Sequence, residues 1–476
     1  MRLVFLCIYL ISMLSLNAQN KQDYVWLFGY DRESATEGTE GYIFDFNKNN
    51  GDYLLPAQNI VPFEISGNNA SICDKNGQLL CYTNGCLIAD ADHNIMPNSS
   101  GINAGEWLDQ TQGGNCNFYL GRHNICFLPD PGNENGYYLL HKAVIPEQEK
   151  YMELRYSYVD MLLNNGMGDV TEKNIVLSDN LRLQGRYLSI NKHANGKDWW
   201  ILQPEDQTNR ILSLLIDETG PNAYTLQEIE HTFELFSSAA GSAAFSPDGR
   251  LYAYYNDYDN LLLFDFDRNT GALSNLKTLE LVDISAPQNA FSTLEWSPNS
   301  RYLYISADNV LYQVDTQESD LTEGVELIDV WDGTSDPFAT TFFLMALAPD
   351  CKIYMCSGSS TNTYHVINKP NEKGTACDFV QHGIRLPYTS SIASMPYIPR
   401  FRVDDTEKCD PTITSIFGDQ IYYRRDMTVY PNPVRDVLTV EIPEGKKGRI
   451  LVFDMQGQLV WSDHEIDIYR DKVQLD

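Results

Sequence analysis

The sequence predicts an all-β protein, a seven-bladed β-propeller followed by a small Ig-like β-sandwich. Three observations predict it: a turn-and-strand motif at a fixed period, seven apolar strands ending in Asp or Asn, and no sustained 3.6-residue periodicity. The clearest copies of the motif are Phe245-Ser-Pro-Asp-Gly-Arg-Leu-Tyr252, Trp296-Ser-Pro-Asn-Ser-Arg-Tyr-Leu303 and Leu347-Ala-Pro-Asp-Cys-Lys-Ile-Tyr354, starting 51 residues apart twice over. Further turns of this kind are read at Asn76-Gly77, at Asn135-Gly136 before Tyr137-Tyr138, and at Asn195-Gly196 before Trp199-Trp200. Such a turn needs positive φ, which glycine adopts without steric cost, so each marks a hairpin.

The Asp- or Asn-ended strands give the blade count. They are Phe44-Asp45, Ala89-Asp90, Val159-Asp160, Ile216-Asp217, Phe264-Asp265, Val314-Asp315 and Ile367-Asn368, spaced by 45 to 70 residues. That spacing is the length of a four-stranded antiparallel sheet with its loops. One small sheet cannot bury both of its faces, whereas sheets set radially bury each face against a neighbour. The propeller is expected over residues 24–403. Its closing strand is expected around Ser394–Phe401, beside Tyr24–Phe28. A string of Ig-like units would also show short strands and turns, but the two signatures recur in fixed order within each unit, as blades require. The stretch 147–163 could pass for a helix, yet Arg155–Asp160 alternates with period two.

Residues 1–19 read as a secretory signal peptide: Arg2, an apolar run from Leu3 to Leu14, then Asn17-Ala18-Gln19. The run is well short of the ~20 apolar residues that a membrane span needs, and no later segment reaches that length, so no membrane insertion is expected. Sixty-five Asp and Glu against 34 Lys and Arg give a formal charge of -31. A surface of that sign repels phosphate backbones and anionic headgroups, which argues against nucleic acid and membrane surfaces as partners.

Export leaves nine cysteines in a setting that permits disulfides. On strand geometry, Cys73, Cys81 and Cys86 lie too far apart to pair, as do Cys351 and Cys356. Cys351 occupies the turn position held elsewhere by Gly77, Gly136, Gly196 and Gly249, so a bond to a residue distant in sequence is expected to hold it. Cys409 is matched in the same way to Cys377.

No linear motif announces a reaction. Asp265-Phe-Asp267-Arg-Asn269 begins like a calcium loop, but Leu276 stands where the closing Glu belongs, and a polar turn between two strands fits better. Asp90-Ala-Asp92-His93 reads the same way. The histidines are scattered, and there is no nucleophile elbow or phosphate loop. No catalytic, cofactor-binding or metal-ligating residue is therefore assigned and no cofactor is expected, with room left for weak Ca2+ binding at a loop. Trp199 and Trp200, adjacent on one strand, must face opposite ways and are expected to pack between blades.

Asn69-Ala-Ser-Ile-Cys-Asp74, Tyr82-Thr-Asn-Gly85, Asn195-Gly-Lys-Asp-Trp-Trp200, Phe264-Asp-Phe-Asp-Arg268 with Thr270-Gly271, and residues 371–377 resemble exported propeller proteins of Bacteroidetes-type gliding and saprophytic bacteria. That resemblance implies fold and secretion, and no single activity. Beyond a linker at 404–428, residues 429–476 resemble the C-terminal sorting domain of the type IX secretion system. The sorting motif is Tyr430, Pro431, Asn432 and Pro433, followed by Leu438-Thr-Val440, Ile450–Asp454 and Gly457–Val460. Such domains run on to a further strand pair, so this one is expected to be incomplete. The resemblance implies type IX machinery as a partner and a secreted or outer-surface location. Two functions stay open at this point: a binding propeller that engages glycan, protein or surface polymer without turnover, and a hydrolase or lyase whose residues converge at the channel mouth.

Overall fold

The computed structural model describes residues 20–413 except 31–38, 40, 49–53, 57–60, 66, 106–107, 111–118, 120, 145–151, 180, 185–186, 235–240, 257, 282–291 and 391–392, and in the rest of the chain 428–430, 438–441, 447–448, 451–453, 459–462, 466–467 and 472–475. The expected signal peptide lies outside the described residues, as do Pro431, Asn432 and Pro433. The chain divides into two compact units, Met1–Asp419 and Gln420–Asp476.

The first unit is a β-propeller. Sheet A holds Val25–Gly29, Gly41–Asp45 and Leu54–Pro56; sheet B, Ala70–Cys73, Leu79–Thr83 and Ile88–Asp90. Sheet C holds Ile125–Asp130, Asn133–Val144, Met152–Asp160 and Asp169–Val176; sheet D, Ile190–Lys192, Trp199–Pro204, Arg210–Asp217, Gly220–Pro221 and Thr225–Glu228. Sheet E holds Ser242–Phe245, Leu251–Asn256, Asn260–Asp267 and Ala272–Leu279; sheet F, Ser292–Trp296, Tyr302–Ala307, Val310–Asp315 and Val325–Val330; sheet G, Met345–Leu347, Ile353–Met355, Thr363–Ile367 and Phe379–Arg385. Each sheet is an antiparallel meander in chain order.

The strands are apolar on both sides because both sides are covered. In Leu251–Asn256, Tyr252 and Tyr254 pack with Trp200 and Leu202 of sheet D, while Ala253 packs with Trp296 and Leu303 of sheet F. The same sharing joins A to B, B to C, C to D, F to G and, through Trp26 and Phe44 with Tyr354 and Val366, G back to A.

Several expectations are corrected. A ring of alike four-stranded blades is not what the described residues form: sheets C to G have four or more strands, and A and B have three. Asn135-Gly136 is no turn. It sits inside Asn133–Val144, and the reversal falls one step earlier at residues 130–133, where Pro131-Gly132 supplies the turn. The segment Ser394–Phe401 does close the ring, with the Gly29 amide donating to Ser394 Oγ at 2.9 Å and Tyr364 donating to the Ser394 carbonyl at 3.0 Å. It forms no strand beside Tyr24–Phe28, because two prolines, Pro396 and Pro399, remove ladder donors.

Cys351 takes φ 68° and is bonded to Cys409, across 58 residues, so the expected pairing of Cys377 with Cys409 is wrong. Cys377 is a buried free thiol, as are Cys73, Cys81, Cys126 and Cys356. Cys86 is also disulfide-bonded. Arg268 pairs with Asp404, and together with the Cys409 bond this fastens the start of the expected linker to the propeller. In the second unit, Thr428–Tyr430, Leu438–Glu441 and Lys472–Leu475 form one sheet, and two strand pairs make up the rest, Lys447–Gly448 with Ile466–Asp467 and Leu451–Phe453 with Leu459–Ser462.

Candidate functional site

First strands of neighbouring sheets lie side by side around the propeller axis. Short, largely buried strands of three to six residues are placed there, and what they enclose is the protein's own chain. Segment Pro396–Phe401 runs along the axis. The Ile190 amide of sheet D donates to the Tyr397 hydroxyl at 3.1 Å. Arg400 donates to the Phe245 carbonyl of sheet E at 3.1 Å and pairs with Glu295 of sheet F. Glu295 in turn accepts the Leu347 amide of sheet G at 3.0 Å. Only about 20 Å3 stays open beside this segment, room for about one water. A carboxylate placed in a buried strand is expensive unless its lone pairs are filled, and here Arg400, Trp296 N and Leu347 N fill them.

At the end of the segment, Arg402 grips Asp23 with two hydrogen bonds of 2.6 Å and also donates to the carbonyls of Asn20 and Lys408. This buried pair ties the last residues of the propeller to the first.

The turns between first and second strands share one face of the propeller. Between sheets B, C and D, that face carries a cavity of about 520 Å3, within the range of about 300–1,000 Å3 usual for small-molecule sites. Residues 74–76, 129–132, 134–135 and 196–197 wall it, with Asn20 and Gln22 from the N-terminal segment, and Tyr137, Lys192 and Trp199 from the strands. The turns are rigid because their carboxylates are occupied: Asp74 accepts the amides of Asn76 and Gln78 at 2.8 and 2.9 Å, and Asp130 accepts the amide of Gly132 at 2.8 Å and the Tyr158 hydroxyl at 2.5 Å. Gln22 is 5% exposed, and its side chain makes no hydrogen bond among the described residues; nor does that of Asn135. Lys192 lies over the Trp199 ring at 5.1 Å and donates to the Phe401 carbonyl at 3.0 Å. Burial lowers its pKa, with Arg268 and Lys75 adding to the effect and Asp404 and Asp405 opposing it.

The residues weighed from sequence fall elsewhere. Asp267 accepts from Asn269 N and Thr270 Oγ1, bonds that hold its carboxyl below the usual range, and Asp265 accepts from Asn275, so this loop is the expected polar turn. Asp90 likewise caps its own turn through the amides of Asp92 and Asn94. No group of three metal-ligating side chains occurs among the described residues. Trp199 donates to the Pro129 carbonyl of sheet C at 3.1 Å, and Trp200 to the Arg268 carbonyl beyond sheet D's other face at 2.9 Å, so the two do pack between sheets.

The sequence reading missed Glu295, Lys142 and Lys192. Glu295 and Lys142 had a signal, a lone charge within the buried stretches Ser292–Trp296 and Leu139–Val144, whereas Lys192, at the end of Ile190–Lys192 and next to Asn191, had none. Lys142 is fully buried, donating to Gln203 Oε1 at 2.7 Å and to the carbonyls of Gln184 and Tyr187, and burial pushes its pKa down to about 7.

Residues 428–476 match the secretion system C-terminal sorting domain. The chain is thus exported by the type IX route to the outer surface or beyond. No curated protein matches it. Among solved structures, the periplasmic gluconolactonase PpgL of Pseudomonas aeruginosa is similar at 13% identity, with 77% of this chain and 98% of that one covered and a TM-score of 0.41. The Cps50 (Swd1) β-propeller domain of Myceliophteria thermophila follows at 11% identity, 70% and 93% coverage and a TM-score of 0.37. Likeness at these levels says nothing about chemistry.

Proposed function

We propose that the protein is an exported binding module whose propeller holds an extracellular ligand without turning it over. The observation that carries this is the pairing of a filled axis with an open cavity: the chain's own segment Pro396–Phe401 occupies the channel, and ligand-sized space lies on the turn face between sheets B, C and D. Catalysis needs titratable groups held within reach of a substrate and free to exchange protons. Around this cavity the carboxylates of Asp74 and Asp130 are committed to their turns, and Glu134 is a single exposed carboxylate with no second uncommitted acid or base pair beside it among the described residues. The rest of the polar lining is amides and ammonium groups, which is a binding surface.

The ring is taken here as seven-bladed, on the support of seven sheets that each contain one of the Asp- or Asn-ended strands or its end. A signal peptide at 1–19 and a sandwich arrangement for 429–476 complete the organisation. The hydrolase or lyase reading keeps one favourable observation: Asn68 and Asn69, at the start of sheet B, carry buried amides without partners, the kind of unspent polar group that a site at the other end of the axis would use.

The test is a panel of extracellular oligosaccharides, peptides and lactones presented to the secreted protein, scored for retention and for product. Retention of intact ligand, lost when the cavity wall is altered at Gln22→Ala, supports the reading. Release of product overturns it.

A further inference from the structure

Three lysines converge on the turn-face cavity: Lys75 from the sheet B turn, Lys192 from the first strand of sheet D, and Lys197 from the sheet D turn. The chain carries nearly twice as many acids as bases, so a lysine here finds a carboxylate easily. None of these three does. Among the described residues no carboxylate lies within ion-pair distance of any of them, and the ammonium of Lys192 uses one hydrogen bond out of three, to the Phe401 carbonyl. Lys75 is close enough for its charge to be felt at Lys192. The lining also holds three carboxylates, Asp74, Asp130 and Glu134, and Asp404 and Asp405 act on Lys192 more strongly than Lys75 does. No ion pair locks any of the three ammonium groups among the described residues, however, so they stay available to an anion that enters the concave site.

The acids near this place are engaged elsewhere. Asp74 and Asp130 accept from their own turns, Asp404 is paired with Arg268, and Asp405 accepts from the amide of Asn20. Glu134 is the exposed exception. The remaining donors and acceptors are amides, Gln22 and Asn135 among them, and these match hydroxyl groups.

Building on the binding reading above, we infer that the turn-face cavity binds a short acidic saccharide, its anionic groups met by Lys75, Lys192 and Lys197 and its hydroxyls by the amides of Gln22 and Asn135. The ligand is short because the chain as a whole, at a formal -31, repels an extended polyanion within about a Debye length of ~8 Å at physiological salt.

The experiment is calorimetric titration of the secreted protein with four probes of matched length: an oligogalacturonate, its methyl ester, the neutral galactose oligomer and a sulfated galactose oligomer. The acidic probes should bind at least about ten-fold tighter than the ester, the scale of one charge-assisted hydrogen bond. Which acidic probe binds tighter separates carboxylate from sulfate as the source of the anion. Lys75→Gln and Lys197→Gln, both at exposed positions, should each weaken the acidic probes about three- to ten-fold and shrink the preference for acidic over neutral probe by a similar factor. Equal binding of acidic and neutral probes would overturn the charge inference while the binding module stands. Binding of the acidic probes that ignores both lysine substitutions would place the anion elsewhere and also overturn it. Failure of all four to bind would overturn this inference, and the broader panel above would then decide the binding reading separately.

Discussion

Replacing Arg402 by Met removes the cation that joins the two ends of the propeller. Arg402 is 7% exposed and Asp23 is 3% exposed, their two hydrogen bonds are both 2.6 Å, and the guanidinium also serves two backbone carbonyls. Without it the Asp23 carboxylate stays buried beside carbonyl oxygens and without a counter-charge, a loss of about 3–5 kcal/mol. At about 2.1 cal/mol/K per residue, a unit of roughly 400 residues unfolds with an entropy near 0.8 kcal/mol/K, so the melting temperature should fall by about 4–6 °C. Scanning fluorimetry at pH 7 reads this directly. The double variant Asp23→Asn with Arg402→Met should recover part of the loss, since the stranded charge goes too. A fall under about 1 °C, or a double variant worse than both singles added together, would refute the idea that this pair closes the ring.

Four further outcomes follow from the same structure. Cys409→Ala should cost about 4 kcal/mol by the chain-entropy relation for a 58-residue loop, and non-reducing peptide mapping should recover Cys351 linked to Cys409 and never to Cys356. Trp200→Ala, which empties the contact between sheets D and E, should cost about 3–5 kcal/mol in chemical denaturation. Lys142 has a folded pKa near 7 against an ordinary value near 10.5, so the unfolded chain binds the extra proton between those values; stability should therefore rise as pH climbs from about 7 to about 10, and Lys142→Met should flatten that slope. A reporter carrying residues 420–476 should reach the medium or outer surface of a host with the type IX system, and retention inside would count against the sorting assignment.

Repetition made the fold legible. Phe245–Tyr252 and its two copies each mark a first strand, a turn and a second strand, because one physical problem, burying both faces of a small sheet, was solved the same way each time. Where the repeat lapses, the reading lapsed with it. Asn135-Gly136 looked like a turn, but Pro131-Gly132 reverses the chain first and leaves Gly136 to face the Tyr158 hydroxyl inside a strand. Cys351 was legible as a restrained turn residue, yet its partner was not, since nothing in the strand pattern says where the chain returns after sheet G. The candidate site was the least visible part. Lys75, Lys192 and Lys197 come from two sheets more than a hundred residues apart, and Gln22 from before sheet A; only the side-by-side packing of sheets B, C and D brings them to one cavity. The axial segment was hidden for a related reason, as a proline-interrupted run reads as a poor strand and gives no hint that it fills a channel.

The claim at the centre is that ligand is held on the turn face and leaves unchanged. The most direct measurement is to equilibrate the secreted protein with a labelled extracellular oligosaccharide that it retains, and to quantify intact ligand and product by chromatography after prolonged incubation. The account predicts full recovery of intact ligand and loss of retention in Lys192→Met. Accumulating product, abolished by substitution of Asn68 or Asn69 at the other end of the axis, would contradict it.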